Sequence, residues 1–240
     1  MVTALGGARS DHETHTSRSP SRRSDDDSTT PTGAGGVRPV MAPTHVAMSL
    51  ALAAAVVFVA PAAAPLVVAA ALVGGVFPDL DMVVGVHRRT LHQVEAFVVG
   101  SVGFGAVALL TGDPLAAAAA TGFGAAALHC AADYLGGSSE ARPWEARTDR
   151  GVYVRSLGGW VEPRRLAAYD GSPGDLALAA ALSVPGFLTL GDGPRGILLA
   201  SLAVGVGYAL VRKRVPQLSG RAPAVTAALV ALYSVLVRRR

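Results

Sequence analysis

Seven apolar runs dominate this sequence, at residues 46–60, 65–77, 94–110, 114–132, 176–190, 197–211 and 224–237, and clusters of proline, glycine or charge separate them. Residues 116–132 contain no Asp, Glu, Lys or Arg. A helix on the surface of a water-soluble protein shows a polar stripe, so this run does not suit that setting. Crossing the hydrocarbon of a bilayer takes about 20 residues, with a working range of about 17–25. The runs 94–110 and 114–132 reach that range unaided, and the others need their flanks. Composition agrees: 51% of residues belong to the AVILMFWYC set and 16% are charged, against about 25% charged in soluble domains. The expected fold class is all-α, a polytopic α-helical membrane protein.

Its helices are expected to pair as hairpins. Taken as one helix, residues 46–77 would extend about 48 Å, longer than a hydrocarbon core of about 30 Å. Pro61 and Pro65 flank three alanines, and proline interrupts a helix by removing a donor and crowding the preceding turn. The chain therefore turns back near residue 61. Gly112-Asp113-Pro114 makes a second hairpin of residues 94–132, and the link 191–196 makes a third. Pro223 precedes a lone final helix at 224–237, a position where a helix start tolerates proline. Residues 1–40 hold eight apolar residues, twelve Ser or Thr, and five basic against five acidic groups. Such a segment buries too little to offset its ordering entropy and is expected to be a disordered tail. The division is then a tail at 1–40, hairpins at 41–135, a polar interfacial cap at 136–175, and membrane helices at 176–240.

The hairpins have a consequence for the polar residues. His45 precedes the first arm, and Pro78-Asp79-Leu80-Asp81 follows the second. His87 and His92 precede the next helix, while His129 and Asp133 end the one after it. If each hairpin goes down and back, all seven groups emerge at one membrane face. His129 and Asp133, spaced i, i+4, project from one side of a helix, and such inward-facing pairs hold metal in helical bundles. Asp79 and Asp81 flank one residue, so two carboxylates can approach one or two cations. Imidazole with carboxylate suits Zn²⁺ first, with Mn²⁺ or Fe²⁺ as further fits. Taken singly, each element has a plainer reading, such as an interfacial histidine, a helix stop with an N-cap, or a structural His–Asp hydrogen bond. Their convergence favours a metal site.

Charge orients the chain. Twelve basic groups of the body fall on the site face, among them Arg88, Arg89 and six arginines between 142 and 165, and four fall on the other. The positive-inside rule then turns the site to the cytoplasm. A net charge of +4 gives no case for direct nucleic-acid binding. Cys130 is the only cysteine, so no intrachain disulfide forms, and it projects from a different helix face than His129. Walker, H-E-x-x-H and G-x-S-x-G motifs are all missing. Gly103-Phe104-Gly105 and Gly122-Phe123-Gly124 lie within apolar helices and read as close helix packing.

The spaced set Thr44-His45, Pro78-Asp79-Leu80-Asp81, His87-Arg88-Arg89-Thr90-Leu91-His92 and His129-x-x-x-Asp133 resembles the YdjM-type family of membrane-bound metal-dependent hydrolases, also described as inner-membrane-associated and LexA-binding. That family pairs an early His with P-D-[ILV]-D, an H-R-x-x-x-H stretch and a later H-x-x-x-D. Here Arg89, Leu91 and Gln93 replace the family's usual Gly, Thr and Ser, while both histidines keep their spacing. The resemblance covers about residues 41–135. It implies a metal-dependent hydrolase in the cytoplasmic (inner) membrane, with Asp79, Asp81, His92, His129 and Asp133 as first ligands and His45 and His87 next. A bound metal would lower the pKa of water and polarise the scissile group, and a phosphoester or lipid-like molecule is the preferred substrate. Asp79 and Asp81 are the candidates for general base.

Within the cap, Arg142 and Arg147 are the candidates for binding a lipid headgroup or other anionic substrate, since the planar guanidinium suits phosphate. The cap's Trp and Tyr residues suit the membrane interface. The alternatives are a divalent-cation transporter, because intramembrane His and Asp mark ion pathways, and a non-catalytic membrane regulator.

Overall fold

A computed structural model describes residues 42–138, 140 and 142–214. The expected tail at 1–40 and the final helix at 224–237 lie outside these residues. The fold is all-α and polytopic. Its elements are α1 (Ala42–Val59), α2 (Ala64–Val76), α3 (Asp81–Val84), α4 (Val94–Thr111), α5 (Pro114–Leu135), α6 (Pro173–Thr189) and α7 (Asp192–Val211). The described strands are two short ones in the cap, β1 (Val152–Val154) and β2 (Gly159–Val161). They pair antiparallel with Tyr153 opposite Trp160.

Among the described residues, five segments are long and apolar enough to cross a membrane: Ala42–Val59, Pro61–Val84, Val94–Thr111, Pro114–Leu135 and Asp192–Arg214. Flanking residues lengthen the runs that looked short. Helix α1 starts at Ala42, so His45 lies inside its first turns rather than before it. Short 3₁₀ turns at Pro61–Ala63 and Phe77–Leu80 extend α2 at both ends. Helix α7 begins at Asp192, which shortens the expected 191–196 link. Gly193 and Pro194 fit there because the first turn of a helix has no intrahelical partner for its N–H groups.

Local chemistry fixes the reversals. Gly112 closes α4 in the left-handed region (φ 70°), which a residue without Cβ enters freely. Asp113 then caps α5 by accepting from the Leu115 N–H at 2.9 Å, with Pro114 in the first turn. Ser172 caps α6 in the same way by accepting from the Asp175 N–H, ahead of Pro173.

Helix α1 is central. It packs on α2, α5, α6 and α7, and its Ala47, Leu50, Ala53 and Ala54 meet Ala63, Val67 and Ala71 of the second arm and Leu198 of α7. This core is built from small side chains, which let helices approach closely where lipid supplies no hydrophobic drive for association. The outer helices are largely uncovered: Phe97 is the buried residue of α4, while Val99, Val102, Leu109 and Leu110 are exposed. An apolar surface that broad suits contact with hydrocarbon rather than water.

Long-range contacts bring the helix ends together. Thr44 on α1 donates to Asp175 Oδ1 on α6 at 2.7 Å. Arg212, at the end of α7, donates through Nε to the Asp170 carbonyl at 3.0 Å. The cap joins the same end, where the Tyr153 N–H donates to the Arg88 carbonyl and the Arg164 N–H to that of Tyr134.

Candidate metal centre

All seven predicted His and Asp side chains lie at this end, and they touch. Asp79 arrives on the 3₁₀ turn after α2, and Asp81 opens α3. His87 and His92 stand in the loop before α4, and His129 and Asp133 lie one helical turn apart on α5. Asp79, His92, His129 and Asp133 are all buried and offer four ligand atoms within 4.8 Å of one another. The separations are 2.9 Å from His92 Nε2 to Asp133 Oδ2, 3.3 Å from His129 Nε2 to Asp79 Oδ1, and 3.6 Å from His129 Nε2 to Asp133 Oδ2. Ligands about 2.0–2.2 Å from a tetrahedral metal sit about 3.3–3.6 Å from one another.

Two further observations fit a cation. His129 Nδ1 lies 2.7 Å from the Gly75 carbonyl oxygen, which can only accept, so Nδ1 carries the proton and Nε2 the lone pair. That Nε2 and Asp79 Oδ1 are both buried without a hydrogen-bond partner. Buried polar atoms are seldom left so. The charges agree as well: three buried carboxylates, of Asp79, Asp81 and Asp133, face one permanent buried cation, Arg88. Buried charge without a counter-charge is costly, and a divalent ion would balance it.

Asp81 holds a different position. Its Oδ1 faces His87 Nδ1 at 3.0 Å and its Oδ2 faces His92 Nδ1 at 2.8 Å. It therefore holds the His92 ring by the nitrogen away from the four-residue cluster, as carboxylates behind metal-binding histidines do, and it takes the His87 ring as well. Asp81, His87 and His92 also form a second group with metal-binding spacing. Burial opposes a charge on His92, but hydrogen bonds to Asp133 and Asp81 outweigh that and raise its pKa to about 9, so a metal taken at Nε2 would displace a proton. Asp81→Asn is expected to weaken metal affinity about 10–100-fold, the usual cost of losing such a partner. Metal titration of the purified variant measures this, with helical content by circular dichroism as the control.

His45 completes the group from α1. Its ring stacks on His129 with centroids 3.7 Å apart, and its Nε2 lies 3.7 Å from Asp133 Oδ1. Arg142 and Arg147, expected to bind substrate, are elsewhere: both pair with Glu145, at 3.2 and 2.8 Å. The arginine brought to the site is Arg88. It is 4% exposed, and its guanidinium meets Asp133 Oδ1 at 2.9 Å and the Gly137 carbonyl at 2.5 Å. A left-handed backbone (φ 62°) carries it there. Sequence reasoning passed over Arg88 as one of two adjacent interfacial arginines, and its place in the His-Arg element was the only signal. Arg89, its neighbour, instead lies over the Tyr153 ring at 4.7 Å.

No protein family, curated protein or solved structure matches this chain.

Proposed function

We propose that this protein is a membrane-embedded, metal-dependent hydrolase of a phosphoester or lipid-like substrate, with Zn²⁺ the first choice of metal. The observation that carries the reading is the facing pair of partnerless buried atoms, His129 Nε2 and Asp79 Oδ1, within a four-residue ligand cluster. The resemblance of these same residues to the YdjM-type motif set points the same way.

Asp79, His92, His129 and Asp133 would hold the metal, with His45 stacked behind them. Asp81 would fix the His92 and His87 rings. A divalent ion there would lower the pKa of water and polarise the phosphoryl group. Arg88, always charged and with a planar fork, is placed to receive anionic oxygens. Of the two carboxylates considered as general base, Asp81 already has both oxygens engaged by histidines. Asp79 is the more accessible, 8% exposed against 0%.

The site end is read as cytoplasmic. Arg88, Arg89, the cap arginines and Arg212–Arg214 gather there, whereas Arg195 lies at the opposite end in the first turn of α7, and the positive-inside rule applies. A transporter reading is less favoured, because the ligand groups lie at helix ends and not midway along them.

The test is purified full-length protein in detergent, assayed on a panel of phosphomonoesters and phosphodiesters. Hydrolysis is expected to disappear on chelation, to return with Zn²⁺ or Mn²⁺, and to be lost in Asp133→Asn. Metal uptake into proteoliposomes without any hydrolysis would overturn the proposal in favour of transport.

A further inference from the structure

Beside the metal cluster lies a cavity of about 510 Å³, within the range of about 300–1,000 Å³ common for ligand pockets. One wall is polar and carries His45, Arg88 and Asp133. The rest is mainly apolar, with Met48 of α1, Leu128 of α5, and Leu178 and Leu182 of α6. Leu128 and Leu178 are 38% and 43% exposed, so this apolar wall continues onto the outer flank of the bundle.

The polar wall is incompletely satisfied. His45 and Arg88 are each 4% exposed, yet His45 Nδ1 and Arg88 Nε are buried without a hydrogen-bond partner. Arg88 Nε is always a donor, and a buried donor left unmet is costly. The cavity's other two acids are already engaged. Asp175 accepts from Thr44 and from the Gly171 N–H, and Asp170 lies 3.7 Å from the Arg212 guanidinium. The unmet Arg88 donor is thus at the metal end, where it suits an acceptor-rich, anionic group.

We infer that this cavity binds the substrate, and that the substrate is a membrane amphiphile. Its phosphate-bearing head lies against His45 and Arg88 beside the metal cluster, and its hydrocarbon chain lies along Met48, Leu128, Leu178 and Leu182. For its reaction this inference rests on the hydrolase reading, but for binding it stands alone. A small soluble phosphoester would leave most of the apolar wall uncovered. A neutral lipid would leave the Arg88 Nε donor unmet. An amphiphile satisfies both, and it can enter sideways from the bilayer past Leu128 and Leu178.

The test uses the full chain in phosphatidylcholine nanodiscs, with and without chelator. The probe is dodecylphosphonate carrying a photoreactive group in its chain, which has the head and the tail but no ester to cleave. Labelling is expected on peptides holding Met48, Leu128 or Leu178. Unlabelled dodecylphosphonate should compete about tenfold or more better than methylphosphonate, since each buried methylene adds to affinity. Labelling should fall in Arg88→Gln, and also in Leu178→Trp, which fills the cavity from a half-exposed position and leaves the head contacts intact. Labelling spread over the outward faces of α4 and α7 would overturn the proposal. So would equal competition by methylphosphonate, which marks a small-anion site, or indifference to Leu178→Trp. Because the probe is not hydrolysed, specific labelling without turnover of any phosphoester removes the hydrolase reading alone. Turnover without specific labelling removes this pocket alone.

Discussion

His129→Ala is expected to leave the protein unable to retain metal through purification. The substitution removes a ligand atom whose neighbours, Asp79 Oδ1 at 3.3 Å and Asp133 Oδ2 at 3.6 Å, would then face an empty space. Losing an outer hydrogen-bond partner of a metal ligand costs about 10–100-fold in affinity, so losing the ligand itself should cost more than about 100-fold. The variant has a second effect. His129 Nδ1 donates to the Gly75 carbonyl at 2.7 Å, and stranding a buried acceptor costs about 1–3 kcal/mol. His129→Gln separates the two contributions, because an amide N–H can still donate to Gly75 while the imidazole lone pair is gone. Elemental analysis of metal per protein and thermal unfolding in detergent are the measurements. Both variants should lose metal, and His129→Gln should unfold at the higher temperature. Wild-type metal content in either would exclude His129 as a ligand.

Gly74→Val is expected to leave little folded protein. A Cβ on Gly74 would lie 2.0 Å from the Gly122 carbonyl oxygen and 3.0 Å from Gly122 Cα. Both atoms belong to the backbone of α5, so no change of rotamer relieves the clash and the two helices must separate. Overpacking of an interior costs about 1–3 kcal/mol when side chains can adjust, and more when they cannot. The site goes with the packing, since α2 carries the Gly75 carbonyl that orients His129 and leads directly into Asp79. Gly103→Val on α4 is the control: a Cβ there meets nothing within 4 Å, and its yield and unfolding temperature should match wild type. Size-exclusion profiles and metal content distinguish the two. A monodisperse, metal-loaded Gly74→Val protein would contradict the packing described.

Much of this architecture could be read before folding was considered. Charge-free runs set the all-α membrane class, and Pro61, Gly112 and Pro114 marked reversals that the structure places nearby. The Gly122-Phe123-Gly124 stretch read as close packing, and the Gly122 backbone lies directly against Gly74 of α2. Legibility failed where an outcome depends on distant partners. Only its place directly after His87 separates Arg88 from Arg89 in the sequence, yet one is buried on Asp133, 45 residues away, and the other rests on Tyr153. Arg142 and Arg147, by contrast, pair with a neighbour in sequence, Glu145.

The sequence by itself determined the class of fold and the end of the bundle at which the imidazoles and carboxylates gather. Both follow from short-range rules: the length of an apolar run, the turn a proline forces, and the i, i+4 spacing of His129 and Asp133. Tertiary structure alone decided how those groups divide their work. Asp79 joins His129 in the four-residue cluster, while Asp81, two residues on, grips His87 and His92 from the other side. It also decided that a backbone carbonyl at Gly75 sets the tautomer of His129 and that a cavity opens between α1, α5 and α6. Hydrogen-bond direction and enclosed volume depend on how helices cross, and crossing is fixed by packing between residues far apart in the chain.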